Sequence, residues 1–198
     1  FPYYDIKNQS TEFDFKDAEV ENILDIKNLS SFSHLNKDEI ITGLRSFNKF
    51  YQEWIDEKKE ENKNRSNKEI GNRNLLQCTY VFDRIQNGIK IIEDNDNAFT
   101  AFQFANSAMY MQMFHSARYF GNEFNKGFEL FEWNERFQDQ VFPRYEDYEN
   151  INFPFDRPPK WRPFQLGFIL LTLRSIVEQN ADERNLVDLI WFPTGGGK

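Results

Sequence analysis

The sequence is poor in the features that mark secreted, membrane and disulfide-bonded proteins. It has one cysteine, Cys78, and so cannot form an internal disulfide, which fits a reducing compartment. No apolar run approaches the ~18 residues that a transmembrane helix needs, and residues 1–5 lack the basic and apolar regions of a secretory signal. We therefore expect a cytoplasmic protein that has no membrane partner. The missing initial Met and the ending on Lys198 within a motif indicate an excerpt.

Basic residues are also scarce relative to acidic ones. There are 24 Lys and Arg against 32 Asp and Glu, a formal net charge of −8. This is the wrong sign for a surface that gains its affinity by neutralising phosphates. The 22 Phe residues are attributed to compositional bias, because base-stacking surfaces normally line a basic groove. Any binding to DNA must therefore use local features or parts of the protein outside this chain.

Neither histidine nor cysteine is arranged for metal binding or catalysis. His34 and His115 are far apart and have no Cys or acid cluster at ligand spacing. We therefore predict no metal site in this chain. Cys78 falls on an apolar stripe with no identifiable activating base, which favours a packing role.

Three amphipathic helices are predicted between residues 36 and 120. Asn36 followed by Glu39 is typical of a capping box at a helix start. Apolar residues then recur at helical spacing: Ile40, Leu44, Phe47, Tyr51 and Trp54. A second stripe comprises Leu75, Cys78, Phe82, Ile85, Ile89 and Ile92. A third comprises Phe102, Ala105, Met109 and Met113. The highly polar residues 56–74 could form a solvated helix end, a connection between helices or a mobile loop, and a solvated connection is the default interpretation.

The last residues combine a short apolar run with a glycine-rich turn. Residues 186–192 are of the kind that fills the middle of a parallel sheet, and Pro193, Thr194, Gly195, Gly196, Gly197 and Lys198 follow directly. Glycines let the backbone turn tightly and aim N–H groups at phosphates, and the Lys ammonium meets the charge of the β and γ phosphates. The usual Walker A pattern begins with Gly, whereas Pro193 occupies that place here, and the Ser or Thr after Lys198 is not in the chain.

The form Pro-Thr-Gly-Gly-Gly-Lys resembles motif I of the superfamily 2 helicases. Residues 162–165, Arg-Pro-Phe-Gln, resemble the segment upstream of that motif, where a Gln amide holds the adenine edge. These features look like the large helicase subunit of the DISARM bacterial anti-phage system. The resemblance extends over residues 74–78, 84–85, 88–89, 101–109, 161–170 and 187–198. The Trp-Phe-Pro-Thr-Gly-Gly-Gly-Lys ending is their most distinctive part.

The resemblance implies a DNA-dependent ATPase that works with a partner subunit in a defence complex. ATP and Mg²⁺ would be its cofactors, and the Mg²⁺ ligands would lie beyond the end of the chain. Lys198 would be the catalytic residue, and Thr194, Gly195, Gly196, Gly197 and Gln165 would bind the nucleotide with it. The fragment alone is expected to be inactive.

The predicted fold is mainly α: a helical accessory domain followed by the first helix, strand and P-loop of a RecA-like α/β domain. Residues 1–35 form an irregular lead-in, residues 36–120 the helical domain, residues 121–160 a connecting segment and residues 161–198 the start of the ATPase domain. Two alternatives stay open. One is a non-enzymatic helical interaction module whose terminal glycines act as a linker, and the other is a P-loop ATPase outside the helicases.

Overall fold

The computed structural model describes residues 17–123, 143–151, 153 and 158–189. Its α-helices are α1 (Ala18–Ile23), α2 (Lys37–Asn62), α3 (Lys68–Asp94), α4 (Asp96–Glu123) and α5 (Pro163–Val177). Short 3₁₀ turns span Lys27–Leu29, Tyr145–Glu149 and Asp182–Asn185. Over these ranges the chain is mainly helical, as predicted, and β pairing is confined to a single antiparallel bridge between Asp25 and Lys160. None of the described helices is both long and apolar enough to cross a bilayer.

The predicted start of α2 is confirmed. The Asn36 side chain accepts a hydrogen bond from the Glu39 N–H at 3.0 Å, and the Glu39 carboxylate accepts one from the Asn36 N–H at 2.8 Å. Ile40 and Leu44 are fully buried, but Trp54 at the end of the predicted stripe is 38% exposed, and Ile55 is buried in its place. A stripe that repeats every 3.5 residues drifts around a straight helix, because the helix has 3.6 residues per turn.

The connection between α2 and α3 is much shorter than the predicted residues 56–74. Helix α2 continues to Asn62 and α3 begins at Lys68. The buried Asn62 side chain closes the turn by donating to the Lys68 carbonyl at 3.1 Å and to the Asn72 side chain at 2.9 Å. Hydrophobic periodicity missed these helical turns because they are polar all round and carry same-helix ion pairs such as Lys58 with Glu61.

The predicted buried stripe of α4 is confirmed at Phe102, which is 3% exposed, but is wrong further along the helix. Ala105 is exposed and Met113 is 36% exposed, whereas the buried face contains Phe102, Asn106, Ser107, Tyr110 and Phe114. Asn106 is buried because both ends of its amide are satisfied: it accepts from the Trp161 indole N–H and donates to the Phe102 carbonyl, each at 2.8 Å. Polar residues on a buried face are invisible to a hydrophobic pattern.

The described half of the lead-in is part of the core rather than irregular. Asp17 caps α1 by accepting from the Glu19 N–H at 2.8 Å, and Val20 and Ile23 are buried against α2. Phe32 is buried in a second aromatic cluster with Tyr110, Phe114 and Tyr148. Helix α1 has only six residues, which is too short for a sustained apolar period to be recognised.

Helix α5 packs directly on α3, and the contact is closest at Gly88. A Cβ atom at Gly88 would lie 1.9 Å from the Leu170 carbonyl oxygen. Leu166 and Leu170 are fully buried at this contact, while Phe164, Phe168 and Leu171 are only half-buried. Because α5 is apolar on almost every side, its sequence alone does not indicate which face is buried. The domain boundary near Lys160 stays a prediction.

Substituting Gly88 by Ala should destabilise the chain by about 1–3 kcal/mol, because a backbone oxygen blocks the new methyl group. Gly167→Ala is the matched control, since its Cβ would lie 3.7 Å from the Ile85 side chain, an ordinary contact. Ala has the higher helix propensity, so the control should be neutral or more stable by up to about 1 kcal/mol. Urea unfolding of the two variants tests this, and equal effects would contradict the described contact.

Candidate nucleotide-binding site

Of the residues predicted to bind nucleotide, the structure describes one. Gln165 lies in the first turn of α5. Thr194, Gly195, Gly196, Gly197 and Lys198 lie outside the described residues, so their contribution to a phosphate loop stays a prediction.

Gln165 is held by the backbone at the start of α5. Its side-chain oxygen accepts a hydrogen bond from the Arg162 N–H at 3.0 Å, and Pro163 occupies the first helical position, where no N–H is needed. The side chain is half-buried. The amide therefore has a capping role of its own, and this bond fixes the direction in which its second lone pair and its NH₂ group point.

The described part of the predicted strand, residues 186–189, takes part in no strand pairing with the rest of the described chain. Val187 is 96% exposed and Leu189 is 89% exposed. An apolar run becomes a central strand only when neighbouring strands and covering helices enclose it, and the described ranges contain no such sheet. The RecA-like part of the predicted fold therefore stays a prediction.

Asp188, in the middle of this segment, is bound by a guanidinium from α3. The Nη1 and Nη2 atoms of Arg84 donate to the two carboxylate oxygens of Asp188 at 2.6 and 2.7 Å. The Arg84 side chain is 4% exposed and that of Asp188 is 32% exposed. The hydrogen bond from Arg84 lowers the pKa of the Asp188 carboxyl below its ordinary value. The pair joins residues 104 positions apart.

The turn before Asp188 is fastened to the last turn of α5. Arg174 donates to Glu183 at 2.8 Å, and the Glu183 side chain is 8% exposed. Arg184 donates to the Ser175 carbonyl at 2.7 Å. These contacts return the chain from the end of α5 towards α3, and so bring Asp188 within reach of Arg84.

Sequence reasoning missed the Arg84–Asp188 pair, although both residues carried a signal. Arg84 precedes Ile85 on the buried side of α3, and Asp188 interrupts an apolar run. A charge placed among apolar residues usually requires a partner of opposite sign. Two such charges in one chain are candidates for each other.

The other residues considered for chemistry have structural partners. The His115 ring nitrogen and the Tyr148 hydroxyl are 2.7 Å apart, and Cys78 is half-buried beside Tyr51. Burial, followed by the neighbouring Cys78, raises the pKa of Tyr51. In the described ranges no group of three or more potential ligands could hold a metal ion.

A cleft of about 420 Å³ lies between the C-terminal ends of α3 and α5 and is lined by Lys90, Asp94, Arg174 and Glu178 among others. Gln165 is at the opposite end of α5, roughly 13 Å along the helix axis from Arg174 at 1.5 Å per residue. The cleft is therefore separate from Gln165, the one predicted nucleotide-binding residue that the structure describes. Its charges are of both signs, which does not favour a phosphate ligand.

Asp188→Asn should destabilise the chain at neutral pH by about 1–2 kcal/mol, discounted because Asp188 is a third exposed. Since the folded pKa of Asp188 is lowered, the ion pair stabilises fully above the unfolded value of about 3.9 and is lost as pH falls through the folded pKa. The stability difference between the two proteins should therefore shrink below about pH 4. Urea unfolding from pH 3 to pH 7 measures it, and a constant difference would contradict the pair.

No protein-family model matches the chain. The chain is similar to DISARM protein DrmA of Bacillus paralicheniformis, with 32% identity over 200 aligned residues. The alignment covers the whole of this chain and 16% of the relative. Along its full length, the chain is therefore DrmA-like and resembles one segment of that much longer protein.

Proposed function

We propose that this chain is the part of a superfamily 2 DNA helicase or translocase that leads into its ATP-binding loop, and that the parent protein acts in bacterial anti-phage defence. The observation that carries the proposal is the similarity to DISARM protein DrmA over the whole chain. The Pro-Thr-Gly-Gly-Gly-Lys motif at residues 193–198 supports the assignment to an ATP-driven motor. Because the chain spans 16% of that relative, the activity is proposed for the parent protein.

In the proposed site, Lys198 and the backbone N–H groups of Gly195, Gly196 and Gly197 hold the phosphates of MgATP. Bound ATP supplies the phosphoryl group whose hydrolysis drives motion on DNA. The chain's own contribution is electrostatic: the Lys198 ammonium meets negative charge on the β and γ phosphates. Ligands for Mg²⁺ and the group that orients water are assigned to other parts of the parent protein.

Gln165 is proposed to recognise the adenine edge. The amide offers both a donor and an acceptor, which matches an adenine edge. Its oxygen already accepts from the Arg162 N–H at 3.0 Å, and a carbonyl oxygen has a second lone pair available to a nucleotide. The capping bond would hold the amide in one orientation before the nucleotide arrives, which reduces the entropy lost on binding.

DNA is assigned to the parent motor rather than to this chain. The net charge of −8 opposes binding by phosphate neutralisation. We also propose that the parent protein works with a partner subunit in a defence complex.

A second candidate is a helical module that docks another protein or the rest of the motor. It is favoured by large apolar side chains that the described residues leave exposed, among them Leu76 at 68%, Ile176 at 68% and Val187 at 96%. In this alternative the terminal glycines are a linker and Lys198 has no catalytic role.

Lys198→Ala in the complete protein should abolish DNA-stimulated ATP hydrolysis, because the phosphates lose their main cationic partner. Lys63→Ala is the control: this lysine is exposed beyond α2 and pairs with Glu60 at 2.5 Å, so its loss should leave turnover unchanged. Steady-state ATPase rates with and without DNA measure both. Normal turnover of the Lys198 variant would remove the phosphate-loop assignment and favour the helical module.

Two substitutions at Gln165 separate adenine recognition from helix capping. Glu at this position keeps a capping oxygen for the Arg162 N–H but has no NH₂ donor, whereas Ala loses both functions. Gln165→Glu should therefore keep the thermal stability of the wild type and lose about tenfold in preference for ATP over GTP. Gln165→Ala should lose both. The ratio of kcat/KM values for the two nucleotides measures the preference, and an unchanged ratio in both variants would leave Gln165 with the capping role alone.

A further inference from the structure

We infer that Arg84 and Asp188 form a positioning pair, through which helix α3 fixes the chain that enters the phosphate loop relative to the helix that carries Gln165. The inference rests on the proposed function, since it assigns a role within that same site. Neither residue is expected to touch the nucleotide. Both would act through Thr194 to Lys198 and through Gln165.

The geometry of the pair fixes orientation as well as distance. Two parallel hydrogen bonds of 2.6 and 2.7 Å join the two Nη atoms of Arg84 to the two carboxylate oxygens of Asp188. A guanidinium and a carboxylate that meet in this way lie in a common plane, which a single contact or a Lys ammonium would not impose. The backbone at Asp188, six residues before Thr194, is thereby given a defined direction.

The neighbours of Asp188 do not supply that constraint. Val187 and Leu189, on either side, are 96% and 89% exposed. The antiparallel bridge that the described ranges contain joins Asp25 and Lys160, elsewhere in the fold. Within residues 186–189, the ion pair is thus the strongest described link between this segment and the helical body.

Arg84 is a rigid anchor because its own environment is packed. Its side chain is 4% exposed, and the guanidinium lies 5.8 Å from the centre of the Tyr80 ring, one turn away on α3. The Nε atom is buried and makes no hydrogen bond in the described part of the chain. In the described part of the chain, the hydrogen bonds of this buried guanidinium are therefore those that its two Nη atoms make with Asp188.

The same stretch of α3 also sets the position of α5. Gly88, one turn after Arg84, leaves no room for a Cβ atom beside the Leu170 carbonyl. Leu170 is in the middle of the helix whose first turn carries Gln165. Two contacts one turn apart on α3 therefore hold the proposed adenine residue and the entry to the proposed phosphate loop in one arrangement.

The test compares ATPase kinetics of the complete protein carrying Asp188→Asn or Arg84→Lys. Both changes remove the two-bond geometry, and Arg84→Lys keeps the buried charge. We expect each to raise the KM for ATP about tenfold, because a displaced loop binds the phosphates less well. We expect the double variant to be no worse than the more damaging single variant, since both act on one interaction.

Arg45→Gln is the matched control. The Nη2 atom of Arg45 donates to both carboxylate oxygens of Glu93, at 2.6 and 2.7 Å, and this pair joins α2 to α3. Glu93 lies roughly 13 Å along α3 from Arg84, at 1.5 Å per residue. The Arg45 side chain is 52% exposed, so its loss should leave the KM for ATP within about twofold of the wild type. Thermal unfolding of all variants identifies any loss of folded protein.

An unchanged KM in both the Asp188→Asn and Arg84→Lys variants would overturn the positioning role. So would an equal rise in the Arg45→Gln control, because the effect would then not be specific to the pair. Failure of the proposed function has a different signature: the Lys198→Ala protein would still hydrolyse ATP. If Lys198→Ala is inactive while the pair variants have normal KM values, the phosphate-loop assignment stands and the positioning role alone is wrong.

Discussion

The close approach of α3 and α5 at Gly88 is the contact on which the rest of the arrangement depends. With a Cβ position only 1.9 Å from the Leu170 carbonyl oxygen, the two helices meet at this point through backbone atoms, beside the buried side chains of Leu166 and Leu170. A contact of this kind fixes the separation of the helices, because no side-chain rotamer change can adjust it. Arg84 and Gln165 lie on these two helices and are placed by the same contact.

Polar contacts then join α5 to the N-terminal part of the chain. The Trp161 N–H donates to the Leu24 carbonyl at 2.8 Å, and the Ile26 N–H donates to the Pro159 carbonyl at 3.0 Å. The Trp161 indole reaches Asn106 on α4. Because a buried amide or indole without a partner costs several kcal/mol in an apolar environment, these bonds specify one way of assembling α1, α4 and α5.

The sequence predicts helices well where local chemistry determines them, and poorly where partners do. The capping box at Asn36 and the start of α5 at Pro163 follow from residue types within one turn. The buried faces of α4 and α5 do not, because Asn106 is buried by Trp161 from a distant segment and α5 is apolar on nearly all sides. For the candidate site, Gln165 could be placed on a helix start, but its bond to Arg162 and the pairing of Arg84 with Asp188 depend on tertiary structure.

The extended segment at residues 186–189 shows why an ion pair is suited to this place. This apolar run gains little from the helical surface, since Val187 and Leu189 remain exposed. A charged pair supplies direction without requiring that apolar surface to be covered, so the exposed side chains stay available to the sheet of the proposed motor. The pair is also robust at neutral pH, since the lowered pKa of Asp188 keeps its carboxylate charged and Arg84 does not deprotonate. The entry to the proposed phosphate loop is therefore held from one side by the helical body, while Val187 and Leu189 remain exposed, as the proposed sheet would require.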